Sequence, residues 1–356
     1  MDVSIIMPCY NGQNYIEETL KSIYQQCTDL LDIEVLLLDD ASSDNTLDVL
    51  REYTSVHRHP NLKWEIISNS VNRGQGVLRN EGIKRAQGRY LFFLDSDDII
   101  EKDMMIGIFT SLKKYLEEPE VVQFEWAFFD DVTNKINYSQ PTNEKNGTLF
   151  LGGKCERVLK QAIYYPVNRL YKKEFLLTHD ICFGEGYIYE DFEFFVRMAT
   201  KVESLLILKA IYYYVRLHNN STTGANRKTS KHFNDFQTAV SQTMSSVQTR
   251  DKESLYHVLH YFLSKSVGYA PRFPEELCDE AVLGVMKMIK EQEGRFIIPN
   301  DAPELDKKLF NIILKNSEDL EKVKGLFKTK HRKELPIRLL KKIKREIKSE
   351  IVWIYQ

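Results

Sequence analysis

The sequence predicts an α/β fold: a mostly parallel sheet flanked by helices, followed by a helical C-terminal region. Two observations lead there. Through the first hundred residues, short apolar runs rich in β-branched side chains alternate with longer amphipathic stretches, the pattern of βαβ units around a parallel sheet. From about Asn219 onward the pattern turns helical and polar, with Pro271, Pro274, Pro299 and Pro303 marking breaks between helices.

Taken in order, strands are expected near residues 3–7, 33–38, 63–67 and 90–94, and helices near 14–26, 44–53 and 76–86. Each helical stretch carries apolar residues at three- and four-residue spacing, as Ile16, Leu20, Ile23 and Tyr24 do in the first. Ser43 or Asp44 is placed to cap the second helix. Residues 100–215 mix helical and strand-like runs, and the polar, turn-rich stretch 133–148 reads as a surface loop. The stripe Tyr212-Tyr213-Tyr214 reads as a half-buried strand rather than a platform for sugars.

Composition bounds the function. A chain of 356 residues exceeds one compact domain, so a larger domain and a smaller second unit are expected. Hydrophobic residues at 43% and charged residues at 28% fit a soluble globular protein, and a net charge of −2 gives no global reason to expect nucleic acid. Cys9, Cys27, Cys155, Cys182 and Cys278 are scattered, odd in number and never spaced C-x-x-C. That argues against a disulfide framework or a thiolate metal site, and for a reducing, cytoplasmic compartment. No basic leader precedes the apolar run at Val3 and no run of about 18 apolar residues occurs, so neither a signal peptide nor a membrane span is expected.

Ligands of open parallel sheets bind beyond the carboxyl ends of the strands. Each expected strand ends in suitable chemistry: Pro8-Cys9-Tyr10-Asn11-Gly12, Asp39-Asp40-Ala41-Ser42-Ser43-Asp44, Ser68-Asn69, and Asp95-Ser96-Asp97-Asp98. In extended chain, Asp95 and Asp97 direct both carboxylates to one face, where they suit Mg2+ or Mn2+ and, through the cation, a diphosphate. The same segment also reads as a solvated turn before the helix from Glu101. Arg73 and Arg79 flank Gly74 and Gly76 at a helix entrance, a place that favours anions, although a lone arginine is more often structural or solvated. The G-x-G-x-x-G dinucleotide pattern is excluded, because Arg79 stands where its third glycine belongs.

Several blocks, in order, resemble the family 2 inverting glycosyltransferases with the Rossmann-like GT-A fold, especially bacterial capsule, cell-wall polysaccharide and teichoic acid enzymes. They are Ser4 to Gly12, Leu36 to Thr46, Asn72 to Ile83, Gly88 to Asp98, Asn168-Arg-Leu-Tyr171 and Tyr189-Glu-Asp-Phe192. The resemblance implies a catalytic domain over residues 1–220, with a nucleotide-binding half at 1–100 and an acceptor half at 101–220, and a helical region over 221–356. It places Pro8, Tyr10 and Asp40 around a uracil base, Asn69 and Arg79 near the base or diphosphate, and Asp95 near the ribose with Ser96 beside it. It makes Asp97 a metal ligand, His218 a second group on the diphosphate and metal side, and Asp191 the catalytic base. Without the resemblance, Glu190-Asp191 reads as a charge pair at a helix N-terminus and His218 as an ordinary loop or core histidine. Val167 stands before Asn168 where relatives often carry Trp, a departure on the acceptor side.

The implied reaction moves a sugar with inversion from a UDP-sugar to a glycan, teichoic acid or lipid-linked acceptor. Such transfer needs a carboxylate base and a cation for the departing diphosphate. A nucleotidyltransferase with a similar metal-nucleotide site, and a non-catalytic glycan- or membrane-binding relative, are the alternatives. At the end of the chain, residues 328–350 hold ten Lys/Arg against three Glu, with Leu340, Ile343, Ile347, Ile351 and Ile354 at helical spacing. The amphipathic tail 328–356 suits the anionic inner face of a membrane, or packing on the body or in a homo-oligomer of C-terminal helices.

Overall fold

The computed structural model describes residues 1–131, 135–138, 144–153, 155, 165–218, 229–246, 252–269, 274–316 and 318–326. The tail at 328–356 and Pro271 lie outside the described residues.

The first half follows the alternation in the sequence. Strand β1 (Val3–Cys9) leads to helix α1 (Ile16–Tyr24), β2 (Ile33–Asp39), α2 (Thr46–Val56), β3 (Leu62–Ser68), α3 (Gln75–Arg85) and β4 (Tyr90–Phe93). Then come β5 (Ile99–Ile100), α4 (Met104–Leu112), β6 (Val121–Asp130), β7 (Lys135–Tyr138), β8 (Thr148–Leu151), a helical turn at Pro166–Asn168, β9 (Arg169–Lys172), α5 (Lys173–Thr178), α6 (Glu190–Ala199) and β10 (Ser204–Leu217). Helix α1 is shorter than expected. Helix α2 begins after Asn45, whose side chain makes no capping bond; Asp44, one residue earlier, instead accepts the Thr46 N–H at 3.0 Å. The stretch 133–148, expected as a loop, includes strand β7, because Ile136 and its neighbours find a free antiparallel edge on β6; residues 132–134 and 139–143 lie outside the described residues.

The strands form one mixed sheet in the order β3-β2-β1-β4-β9-β6-β10-β5, with β7 on β6 and β8 on β10. Pairing is parallel throughout β3-β2-β1-β4 and antiparallel on both sides of β9. The parallel character read from the first hundred residues thus belongs to that part of the sheet and to the β6–β10 pair. Strand β10 slips ahead of β6 twice, between Ile207 and Ile211 and between Ile211 and Tyr213.

Helices cover both faces, so β1 and β2 read as continuous apolar runs rather than alternating ones. On one face Val3, Ile5, Met7, Val35 and Leu37 pack against Ile16, Leu20 and Ile23 of α1. On the other, α3 lies so close that a Cβ at Gly82 would sit 2.4 Å from Ile6. Phe93 of β4 meets Phe183 and Phe194 edge-on at 4.9 and 5.5 Å, and Phe183 stacks on Phe194 at 4.0 Å. This cluster seats α6 against the sheet; burying each such ring stabilises by about 2–3 kcal/mol.

The chain divides into two compact units, Met1–Ala225 with Ser241–Val247, and Asn226–Val240 with Gln248–Gln356. The helices of the later part are α7 (Ser230–Ser246), α8 (Lys252–Tyr269), α9 (Cys278–Glu291) and α10 (Glu304–Lys315). No helix among the described residues is long and apolar enough to cross a membrane.

Candidate functional site

Because β1 pairs with β2 on one side and β4 on the other, the order in which strands are added reverses at β1, and the crevice beyond its carboxyl end is where such sheets bind ligands. The loops there are tied together. Asn11 N–H donates to Ser42 Oγ at 3.0 Å and Asn11 Oδ1 accepts the Ser43 N–H at 2.8 Å. Gly12 N–H donates to Thr46 Oγ1 at 2.8 Å. Pro8 is half-buried and Tyr10 is 52% exposed, so the ring of Tyr10 is presented to solvent at the rim.

Asp40 is buried, and its two carboxylate oxygens accept the N–H groups of Arg73 and Gly74, both at 2.8 Å. Gly74 has φ of 84°, a backbone state that favours glycine, and this lets the chain turn straight into α3. Asp40, expected around a nucleobase, therefore also builds the loop that opens α3. Asn69 is half-buried and is held through its N–H to the Asp39 carbonyl at 2.9 Å.

One turn into α3, Arg79 is 3% exposed. Its Nη2 donates to Asp95 Oδ1 at 2.7 Å and to Gln75 Oε1 at 3.2 Å, and its Nη1 to Glu190 Oε1 at 2.8 Å. Its Nε makes no hydrogen bond, and its Cζ lies 5.2 Å from the centroid of the Phe183 ring. Burial opposes the charge, but Asp95 and Glu190 outweigh it and raise the guanidinium pKa further. Arg79, expected near the base or the diphosphate, has both terminal nitrogens on carboxylates, with Phe183 over its guanidinium.

The acidic segment is a turn rather than extended chain, because the Asp98 N–H donates to the Asp95 carbonyl at 3.2 Å. The expectation of two carboxylates on one face is corrected accordingly: Asp95 turns to Arg79, whereas Asp97 Oδ2 lies 2.9 Å from His218 Nε2. Ser96, between them, is half-buried and its carbonyl accepts the Thr19 hydroxyl at 3.1 Å. Asp98 is buried and accepts from the Tyr213 hydroxyl at 2.5 Å and the Arg216 N–H at 2.8 Å. Burial first, then Asp97 and Asp95, raise its carboxyl well above the usual range.

His218 reaches Asp97 from the end of β10, with its ring 4.3 Å from that of Tyr15. Two residues earlier, buried Arg216 pairs with Glu18 and Asp131 and donates from Nε to the Asp97 carbonyl at 2.9 Å. Tyr213, expected only as part of a half-buried strand, and Arg216 carry no functional signal in sequence, although alternation along a strand puts Arg216 and His218 on the same side.

Helix α6 brings Asp191. Tyr189 enters it with φ of 78°, a left-handed conformation that few bulky residues adopt. Glu190 is buried on Arg79, and Asp191, half-buried, follows in the first turn. The loop before α6 is pinned to α3 by Asn80, which donates to the Phe183 carbonyl at 2.9 Å and accepts the Phe183 N–H at 2.8 Å. Gly76 permits this contact, for a Cβ there would sit 2.1 Å from the Gly184 carbonyl oxygen. Asn80 carries no signal in sequence, since nothing local reveals a partner 103 residues away.

No group of three or more His, Cys, Asp or Glu side chains that could hold a metal is found among the described residues. Asp97 and His218 nevertheless fit a hard divalent cation: they place one carboxylate oxygen and one imidazole nitrogen together, and Asp97 is 34% exposed. Mg2+ and Mn2+ sites commonly take few protein ligands and complete their shell with phosphate and water.

Residues 4–179 match the model of Glycosyl transferase family 2. The uncharacterized glycosyltransferase EpsJ of Bacillus subtilis (strain 168) is 29% identical over 227 residues, 62% of this chain and 62% of its own length. The poly(ribitol-phosphate) beta-N-acetylglucosaminyltransferase TarS of Staphylococcus aureus (strain Mu50 / ATCC 700699) is 36% identical over 105 residues, 30% of this chain and 18% of its own. The chain thus spans less than two thirds of these curated relatives. A crystal structure of S. aureus TarS 1-349 in complex with UDP-GlcNAc superposes with a TM-score of 0.69 at 19% identity, covering 93% of this chain and 92% of that one. The mannosyltransferase PcManGT from Pyrobaculum calidifontis in complex with GDP-Man and Mn2+ superposes with a TM-score of 0.53 at 16% identity, covering 94% and 86%.

Proposed function

The chain belongs, through residues 4–179, to glycosyl transferase family 2, and on that premise we propose that it is a metal-dependent, inverting glycosyltransferase that moves a sugar from a UDP-sugar to a teichoic-acid-type cell-surface polymer. One observation carries the reading: the Asp97–His218 pair at 2.9 Å and the helix bearing Asp191 are tied to the same acidic turn, the first directly and the second through Arg79. The donor class is supported by the UDP-GlcNAc complex of TarS, and the polymer by the relatives named for poly(ribitol phosphate).

In this reading Tyr10, Pro8, Asp40 and Asn69 frame the uracil end of the donor, while Asp95 and Ser96 flank the ribose. Asp97 and His218 hold Mn2+ or Mg2+, which when bound offsets the negative charge of the departing diphosphate. Asp191 accepts the proton of the acceptor hydroxyl as that oxygen attacks the anomeric carbon opposite the nucleotide. Buried Asp98, Tyr213 and Arg216 keep the acidic turn in shape, so that Asp97 meets His218 without rearrangement. The basic tail 328–356 brings the enzyme to an anionic membrane where lipid-linked acceptors sit.

The test is a thermal-shift screen of UDP-sugars, UDP-GlcNAc and UDP-glucose first, with and without manganese, followed by product analysis with poly(ribitol phosphate). Manganese-dependent stabilisation and release of UDP with transfer of sugar are expected. Release of pyrophosphate would instead mark a nucleotidyltransferase, and unchanged UDP-sugar in every mixture would end the enzymatic reading.

A further inference from the structure

We infer that Arg79 and Glu190 form a positioning strut that sets where the α6 carboxylate Asp191 stands relative to the donor turn; the inference rests on the proposed role of Asp191 as base. Arg79 is 3% exposed and spans two elements far apart in sequence, with one terminal nitrogen 2.7 Å from Asp95 and the other 2.8 Å from Glu190. Both pairs involve carboxylates at the functional edge. Asp95 is two residues from Asp97, and Glu190 is the immediate neighbour of Asp191.

The surroundings make this strut stiff. A guanidinium is planar, with its donors in a fixed fork, so two carboxylates held on different nitrogens are held at a set separation. Phe183 packs over the guanidinium at 5.2 Å, and Asn80, one residue on from Arg79, grips the loop that leads to α6 with two bonds to Phe183. Gly76 lets that loop approach α3 more closely than any side chain would allow, and the Gly184 N–H donates to the Glu190 carbonyl at 3.1 Å. The backbone of Glu190 is thereby fixed from one side and its side chain from the other. In such a frame Asp191 cannot shift against the acidic turn unless the Arg79 bridge opens. Arg79 and Glu190 need not touch substrate; they act through the placement of Asp191.

Glu190→Gln keeps the shape of the side chain but weakens one end of the strut, and Arg79→Lys keeps the charge but gives up the fork. UDP–manganese binding is measured by calorimetry, and turnover as UDP release from the sugar donor that reacts in the screen above, on the full chain. Expected for Glu190→Gln is a fall in kcat of at least about tenfold, since about 1 Å of misplacement costs on the order of a hundredfold, with affinity for UDP–manganese within about twofold of the parent (an interval of ~0.4 kcal/mol). A role in general packing would lower binding and turnover together. Joint loss of both, or retention of parental kcat, overturns the strut. Melting temperature is read in parallel; if Glu190→Gln does not fold, Arg79→Lys carries the same comparison. Asp191→Asn is assayed alongside: full turnover by that variant refutes the base itself, whereas an inactive Asp191→Asn beside a fully active Glu190→Gln refutes only the strut.

Discussion

Asp95 and Asp97 are two residues apart and turn to different partners. Both keep about a third of the side chain exposed, 38% for Asp95 and 34% for Asp97, but Asp95 is turned onto a buried arginine and through it onto α6, whereas Asp97 faces a histidine at the end of β10. The first belongs to a frame of buried polar contacts, with Arg79, Glu190, Asp98, Tyr213 and Arg216. The second pairs with His218 and, with Asp191, Tyr10 and Asn69, makes up the rim to which the proposed function assigns donor and acceptor. Charge alone does not separate them. What separates them is the partner: Asp95 commits one carboxylate oxygen to a buried guanidinium, whereas Asp97 meets an imidazole beside which a cation fits.

Substitutions at the rim should change activity with little change in stability, whereas substitutions in the frame should cost stability and, at Arg79 and Glu190, turnover as well. The largest effect is expected at Asp191→Asn, which removes a proton acceptor: kcat falls by about 10²–10⁴-fold while UDP binding and melting temperature stay near the parent, as steady-state rates, calorimetry and a thermal scan would read. Arg79→Met, in the frame, strands Glu190 as a buried charge and is expected to cost about 3–5 kcal/mol of stability, measured by urea unfolding; a loss below about 1 kcal/mol would put Arg79 among surface ion pairs. Asp97→Ala should weaken manganese-dependent UDP binding by about 10–100-fold and leave manganese-free binding unchanged. If both fall together, Asp97 belongs with the frame.

The smallest effect concerns pH. Glu34 is a frame carboxylate at the opposite end of β2, accepting from Ser4 Oγ at 2.6 Å, the Gln87 N–H at 2.7 Å and Lys63 Nζ at 3.0 Å. Burial pushes its pKa up, but these donors outweigh burial and hold it below the ordinary glutamate value. A depressed carboxyl contributes stability that is present above its unfolded pKa, about 4.3, and is lost as pH falls through the folded value. Parent and Glu34→Gln stabilities should therefore converge as pH drops below about 4, and diverge above it; a constant difference across the acid range would show that Glu34 does not titrate differently on folding.

Much of the first hundred residues could be read from the chain. Val3-Ser4-Ile5-Ile6-Met7 and Ile33 to Leu38 announce buried strands because covering both faces demands continuous apolar residues, and each announces its polar loop. The pairing of β9, β6 and β10 was not legible, since partners 46 or more positions apart leave no local periodicity to find. The site divides in the same way. Asp97, His218 and Asp191 stand out by motif and resemblance. Arg79 stands out too, but its glycine-flanked position suggests an anion site, and only the fold shows Phe183 closing over it. Tyr213 and Arg216 give no such signal, for their partners Asp98, Asp131 and Glu18 come from elements distant in sequence.

Strand β10 keeps count for the whole rim. Its two slips against β6 determine the parity with which Tyr213 and Arg216 reach the acidic turn and His218 arrives at Asp97. Side chains on a strand alternate, so an odd insertion or deletion upstream of Tyr213 exchanges inside for outside along everything that follows. A single missing codon there would turn the imidazole away while leaving every one of these amino acids present.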